Sequence, residues 1–127
     1  MKDLMAEGAN MLDRMRKEHL ARTVTYVRGE HEVELAATVG RTEFEVDDGT
    51  AVPLAVESRD YIVTAADLVL DGERSRPRRG DRVRDVVAGV LHVYEVMAPA
   101  GRDCYRLSGP DQSVLRVHTR LIDREEA

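Results

Sequence analysis

Histidine and cysteine are the side chains of this sequence with the widest range of chemistry, and neither forms a known catalytic or metal-binding pattern. The four histidines, at positions 19, 31, 92 and 118, lack metal-ligand spacing. His92 and His118 interrupt runs of alternating apolar residues, which predicts that both side chains face solvent. Cys104 is a lone cysteine, which could act as a nucleophile with a histidine, but a small buried apolar role is the simpler interpretation. Motifs for serine hydrolases, phosphate loops, dinucleotide sites and zinc proteases are all missing from the sequence, so we expect no enzyme activity, metal or cofactor.

Carboxylates recur at every second position in two segments, which is typical of the solvent-exposed face of a strand. The residues are Glu30, Glu32, Glu34, Glu43, Glu45 and Asp47. Each acid alternates with a residue of another kind, so the pattern does not indicate a general acid/base pair. We expect these side chains to lie on outer faces and edges.

Arginines are concentrated in one short segment. The cluster comprises Arg74, Arg76, Arg78, Arg79, Arg82 and Arg84. One interpretation is a solvated loop whose charge is partly neutralised by Asp71, Glu73, Asp81 and Asp85. The other is a contact surface for an acidic partner or for DNA phosphates. The proline and glycines of residues 71–82 predict an exposed loop there.

The first twenty residues are predicted to form a helix, since apolar residues recur at steps of three and four. The candidate contact residues on this apolar stripe are Leu4, Met5, Met11, Leu12 and Met15. The stripe either packs on the protein's own sheet or binds another subunit, and methionine suits an irregular partner surface.

From Arg22 onward the apolar period changes from 3.6 to 2, which predicts strands. The predicted strands cover residues 22–28, 32–39, 42–46, 54–63, 83–87, 91–97, 104–107 and 114–122. Gly40 is expected to break a strand, Ser58 to lie at a bulge, and Thr64 to cap a short helical turn. The expected fold is mainly β with an N-terminal α-helix. It is one domain over 1–127, with a helix over 1–20 and an antiparallel barrel or sandwich of seven or eight short strands over 21–122.

Composition sets further limits on the function. The chain has 127 residues and a net charge of −5, which argues against a general nucleic-acid binder. A single cysteine excludes an internal disulfide framework. The sequence shows neither a membrane span nor a secretory signal, so synthesis in the cytoplasm is expected.

The order of several short motifs resembles that of small phage head–tail joining proteins. A strand ending in Tyr61-Ile62 is followed by the turn Ala66-Asp67-Leu68, and a variable loop then leads to residues 77–83, PRRGDRV. A hairpin closes on Tyr94-Glu95-Val96. The opening RTVTYVRG and the late strand LRVHTRLI are also similar. Independently of the family, Pro77 fixes φ, Gly80 permits a positive φ, and Asp81 can hydrogen-bond the local backbone.

The resemblance implies a non-catalytic virion protein of the neck, made in the bacterial host cytoplasm. Such proteins form a ring of identical subunits between the portal or head-completion proteins and the tail-terminator protein. DNA would be a partner only in passage through the channel, and no membrane contact is expected. On this basis the partner-contact residues would be the Arg74–Arg82 arginines and the stripe of the first helix.

Three alternatives remain open at this point. A tail-terminator protein of the same neck would have a similar pattern. An OB-like barrel could bind nucleic acid or protein, although such a module needs exposed aromatic side chains, and this chain has four tyrosines and one phenylalanine. A small enzyme using Cys104 with a histidine is the third.

Overall fold

The part of the chain described by the computed structural model, residues 21–46, 49 and 54–126, is built mainly from β-strands. The strands in order are β1 (Arg22–Arg28), β2 (His31–Val46), β3 (Leu54–Thr64), β4 (Val69–Leu70), β5 (Glu73–Arg74), β6 (Arg82–Val87), β7 (Val90–Val96), β8 (Tyr105–Ser108) and β9 (Val114–Glu126). Short 3₁₀ turns cover Ala65–Asp67, Pro99–Gly101 and Pro110–Gln112. The helix predicted over residues 1–20, with its five candidate contact residues, lies outside the described residues.

Six strands close into an antiparallel barrel. Neighbouring strands follow the order β3-β2-β1-β6-β7-β9, and pairing of β3 with the first half of β9 closes the ring of strands. The second half of β9 pairs with β7. Strand β8 pairs with residues 114–117 of β9, which also pair with β3. Strands β4 and β5 form a separate two-stranded ribbon. Of the predicted alternatives, barrel and sandwich, the structure is the barrel.

The barrel is filled by side chains from alternate positions of its strands, as the two-residue period predicts. Leu68, Val96 and Leu115 are completely buried, and the surrounding core is largely valine and leucine. Two tyrosines, Tyr26 and Tyr61, are also among the largest buried side chains. Their hydroxyl groups need hydrogen-bond partners inside the barrel, and those partners organise the surface described below.

The predicted strand break at Gly40 is wrong, because β2 runs without interruption from His31 to Val46. Gly40 pairs with Asp60 on β3 in regular register. A side chain at this position would be crowded, since an added Cβ would lie 3.1 Å from Nη1 of Arg116. The glycine therefore makes room for Arg116 to cross the strand.

Three smaller predictions also need correction. The register of β2 with β3 is continuous through Ser58, so the expected bulge is not there. The irregularity lies instead between β7 and β9, at Val93/Tyr94. Thr64 precedes the 3₁₀ turn but makes no capping hydrogen bond with its side chain. The last strand, predicted over residues 114–122, continues to Glu126 because β7 supplies a pairing edge.

A two-stranded extension projects beyond the closed barrel. Strand β2 pairs with β1 only as far as Ala37, and β3 pairs with β9 only from Arg59 onward. Residues 42–46 of β2 and 54–58 of β3 pair only with each other among the described strands. We call these residues the β2–β3 arm.

Candidate functional site

Three aspartates are buried among the described residues, which is unusual because an ionised carboxylate loses its hydration on burial. Asp60 and Asp85 are 0% exposed and Asp81 is 6% exposed. Each is paired with at least one arginine and accepts a hydrogen bond from at least one hydroxyl group. These pairings compensate the burial and fix the strands and loops from which the partners come.

Asp81 links the end of β1 to the loop before β6. The hydroxyl of Tyr26 donates to its Oδ2, and Arg28 reaches it with Nε at 3.0 Å from Oδ1 and Nη2 at 2.8 Å from Oδ2. The backbone N–H of Arg78 donates to Oδ2 at 3.0 Å. Burial is the main cause of the raised pKa of Tyr26, and the hydrogen bond to Asp81 is the second cause. The phenol therefore remains protonated, and a donor, at all physiological pH values.

Further backbone contacts hold the loop on the barrel. The Nη2 group of Arg28 donates to the carbonyl of Arg76 at 2.6 Å. The N–H of Gly80 donates to the carbonyl of Val96 at 2.9 Å, and the N–H of Val96 donates to the carbonyl of Asp81 at 2.7 Å. Gly80 has a φ of 97°. The turn roles predicted for Gly80 and Asp81 are therefore confirmed.

The arginine side chains of the loop are exposed, while the middle of the loop packs against the barrel. The five arginines named as partner-contact residues are all exposed: Arg74, Arg76, Arg78, Arg79 and Arg82. Within the described residues none of these five guanidinium groups makes an ion pair, while Arg84 approaches Glu32 at 3.5 Å. Pro77 is buried, and Glu73–Arg74 forms the short strand β5, so the segment is more ordered than a simple exposed loop. We call residues 74–82 the Arg-rich loop.

The charge of this surface is less neutralised than the sequence suggests. Asp81 and Asp85 point into the protein, where their own arginines pair with them. Of the four acids expected to offset the loop, only Asp71 and Glu73 are exposed. Among the exposed charged side chains of residues 71–82, five are therefore arginines and two are acids.

Asp85 forms the second buried cluster, inside the barrel. The hydroxyl of Tyr61 donates to its Oδ2 at 2.8 Å, and Nη2 of Arg59 lies 3.2 Å from the same oxygen. The Nε atom of Arg22 lies 3.0 Å from Oδ1. The alternation of Val83, Asp85 and Val87 along β6 places Asp85 on the inner face, a signal that the sequence already contained.

Asp60 forms the third cluster, on the outer side of β3, with both a serine and a histidine. Ser58 donates to Asp60 Oδ1 at 2.6 Å, and Nδ1 of His118 lies 2.8 Å from the same oxygen. In a catalytic triad the serine and the aspartate bind opposite nitrogens of the imidazole. Here the Ser58 hydroxyl also lies beside Nδ1, at 3.4 Å. The arrangement is that of a buried structural network, with Ser58 and Asp60 on one side of the ring.

The solvent-facing positions predicted for His92 and His118 are wrong. His118 is 5% exposed because Phe44 packs edge-on against its ring, with 5.1 Å between centroids. His92 shares the inward face of β7 with Tyr94 and is half-buried. Alternation fails at His118 because Phe44 of the arm packs on the outer face of β9, so both faces of the sheet are covered there.

Cys104 lies directly behind the Arg-rich loop. Its thiol is half-buried and donates to the carbonyl of Pro77 at 3.5 Å. Burial raises the pKa of the Cys104 thiol, which disfavours the thiolate that a nucleophile requires. Its packing supports the expected role as a small apolar residue, here beneath Pro77.

The aromatic side chains do not form a base-stacking surface. Tyr26, Phe44, Tyr61 and Tyr94 are buried, and Tyr105 is half-buried. An OB-like module stacks bases on exposed rings, so this barrel lacks the feature that would make it a single-strand binder. The described residues contain no group of three or more metal-ligating side chains. No helix among them has the length and apolar character needed to cross a bilayer.

Asp60 generates a prediction about pH. Burial alone would raise its pKa, but hydrogen bonds from His118, Ser58, Thr42 and Arg116 hold the pKa of Asp60 below its usual range. The ionised form therefore stabilises the fold above the unfolded-state pKa of about 4, and this contribution is lost as pH falls below that value. Urea unfolding at several pH values should show stability declining in acid. Asp60→Asn should flatten that decline, and an unchanged slope in this variant would contradict the assignment.

Asp81 generates a prediction about the loop. Asp81→Asn removes the charge that pairs with Arg28, and it should lower the free energy of unfolding by about 1–3 kcal/mol. The amide of Arg78 loses a charged acceptor, so its hydrogen exchange should become faster. Asp71→Asn, an exposed acid at the edge of the same segment, is the matched control and should leave exchange unchanged. Equal protection at Arg78 in both variants would show that Asp81 does not hold the loop.

The family of the chain follows from comparison with known proteins. The model of the family described as phage head-tail joining protein matches residues 2–126. A search of curated proteins found no match. The match covers nearly the whole chain, including the barrel and the Arg-rich loop. The chain therefore belongs to the phage head–tail joining proteins, structural proteins of the virion neck that interact with head and tail components.

Proposed function

We propose that the chain acts as one subunit of a closed ring at the neck and uses the Arg-rich loop to bind an acidic protein surface. The observation that carries this proposal is the set of five exposed guanidinium groups without ion-pair partners among the described residues. They project from a backbone that Asp81, Arg28 and Val96 hold in place. The ring would lie between the portal or head-completion proteins and the tail-terminator protein.

The chemistry of the loop suits carboxylates. Arginine presents a planar fork of donors that binds a carboxylate through two parallel hydrogen bonds. Because the loop backbone is already held by Asp81 and by the barrel, binding costs less ordering entropy than it would for a flexible segment. Beside the loop, Arg79 lines an open cleft of about 420 Å³ together with Met97, Ala98 and Arg120. This cleft offers apolar contact next to the charges.

DNA fits the loop less well than an acidic protein does. The chain carries a net charge of −5, whereas binding to DNA depends on neutralising phosphates. Four of its five aromatic side chains are buried. In a ring that DNA only traverses, a negative channel wall repels phosphates over about 8 Å at physiological salt. We infer that DNA passes through the channel without stable binding.

A double charge reversal tests the proposal. Arg78→Glu with Arg79→Glu should block the joining of heads to tails, because like charges would face the acidic partner. Both side chains are exposed, so the thermal unfolding temperature should change little. The measurement is the titre of infectious particles after complementing a phage that lacks the gene. Electron microscopy should show separate heads and tails.

The matched control is Arg106→Glu with Arg124→Glu, which reverses two other exposed arginines and changes the net charge equally. This control should join heads to tails as the unmodified chain does. Normal titres from the Arg78 and Arg79 variant would overturn the assignment of the loop. Equal loss in both variants would attribute the defect to net charge and would also contradict it.

A further inference from the structure

We propose that the acidic partner of the Arg-rich loop is a second copy of this chain, whose β2–β3 arm binds the loop head-to-tail. This inference rests on the proposed function, since it names the partner of the same surface. It is based on a second charged surface, of opposite sign, at another place in the same chain.

The arm carries an acidic face. Glu43 and Glu45 lie two positions apart on β2 and so point to the same side, and Glu57 on β3 pairs directly with Glu43. All three side chains are exposed. Like charges directly opposite each other on two strands are destabilising. The nearest compensating contact is Arg41, whose Nη1 lies 3.7 Å from Glu57. A cationic partner would remove this repulsion.

The opposite face of the arm packs against the barrel. Phe44 alternates with the two glutamates and is buried, with its ring edge-on against His118. The guanidinium of Arg102 lies over the Phe44 ring, 5.8 Å from its centroid. Asp60 in turn holds His118 through Nδ1. The buried network therefore holds the base of the arm against the barrel and leaves its acidic face open.

The arm and the Arg-rich loop lie at opposite ends of β2, and no ion pair joins the two surfaces within the described residues of one molecule. His31, at the start of β2, pairs with Arg28, which holds the loop at the carbonyl of Arg76. Glu43 lies twelve positions further along the same strand, a path of about 40 Å at the usual rise of a β-strand. The two surfaces are therefore separate sites on a single subunit.

Complementary surfaces at different places on one chain produce a heterologous contact. Repetition of such a contact gives a ring when the rotation between subunits closes, and an open filament when it does not. Each subunit would give its arm to one neighbour and receive an arm on its Arg-rich loop from the other. The two charged surfaces would thus be used together in every subunit of the ring.

A pair of charge-reversed chains tests this inference. The arm variant carries Glu43→Arg with Glu45→Arg, and the loop variant carries Arg78→Glu with Arg79→Glu. Alone, each variant places like charges at every contact between subunits. Expressed together, the two variants can alternate, because the arm of each then faces a loop of opposite charge. The readout is the titre of infectious particles from a phage that lacks the gene and is complemented by the variants.

The expected result is a loss of about a hundredfold or more for each variant alone, since like-charge contact costs several kcal/mol at an interface. Co-expression should restore the titre to within about tenfold of the unmodified chain. The control Glu30→Arg with Glu34→Arg reverses two exposed acids outside the arm and should join normally. The neutral Glu43→Gln with Glu45→Gln variant should lose less than the reversal. Thermal unfolding of each purified full chain checks that it folds.

The outcomes separate this inference from the proposed function. Normal joining by the loop variant would overturn both. A defective loop variant beside a normally joining arm variant would overturn only the inference and make another virion protein or DNA the partner. A mixture as defective as its two components would overturn it as well. Restored titres in the mixture would support it, because repulsion at both surfaces is relieved only when the two are in contact.

Discussion

The burial of Asp81 is the interaction on which the functional surface depends. The carboxylate is 6% exposed and binds Tyr26 and Arg28 of β1 and the backbone of Arg78 in the loop. The backbone carbonyl of Asp81 also accepts a hydrogen bond from Val96 of β7. An ionised group in such a place is tolerated only with well-placed donors, so the loop backbone must remain where it supplies one. The arginines of the loop are thereby displayed from a fixed base.

The same rule distinguishes two groups of arginines among the described residues. Arg22, Arg28, Arg59 and Arg116 turn toward buried aspartates and stabilise the barrel. The arginines of the Arg-rich loop have no such partner among the described residues and face outward. Because Asp81 and Asp85 pair with arginines inside the protein, they do not neutralise the exposed arginines of the loop.

Much of the fold follows from the alternation of apolar residues, because a strand whose one face is covered must alternate. This alternation correctly predicts β1, most of β3, and the hairpin of β6 and β7. It fails where both faces are packed, as at His118, or where a glycine remains extended, as at Gly40. The turn around Asp81 predicts part of its role, whereas the burial of Asp60 depends on partners from the arm and from β9. These contacts join residues that are far apart in the sequence, so the local pattern of residues does not predict them.

The family match assigns this chain to the joint between head and tail of the virion. The most direct measurement is to delete its gene from a lysogen that carries it, induce the phage, and view the lysate by negative-stain electron microscopy. DNA-filled heads beside separate, finished tails are the predicted result, because both components would be complete and only their connection missing. Normally joined, infectious particles in the absence of the gene would show that this chain is not needed at the joint between head and tail.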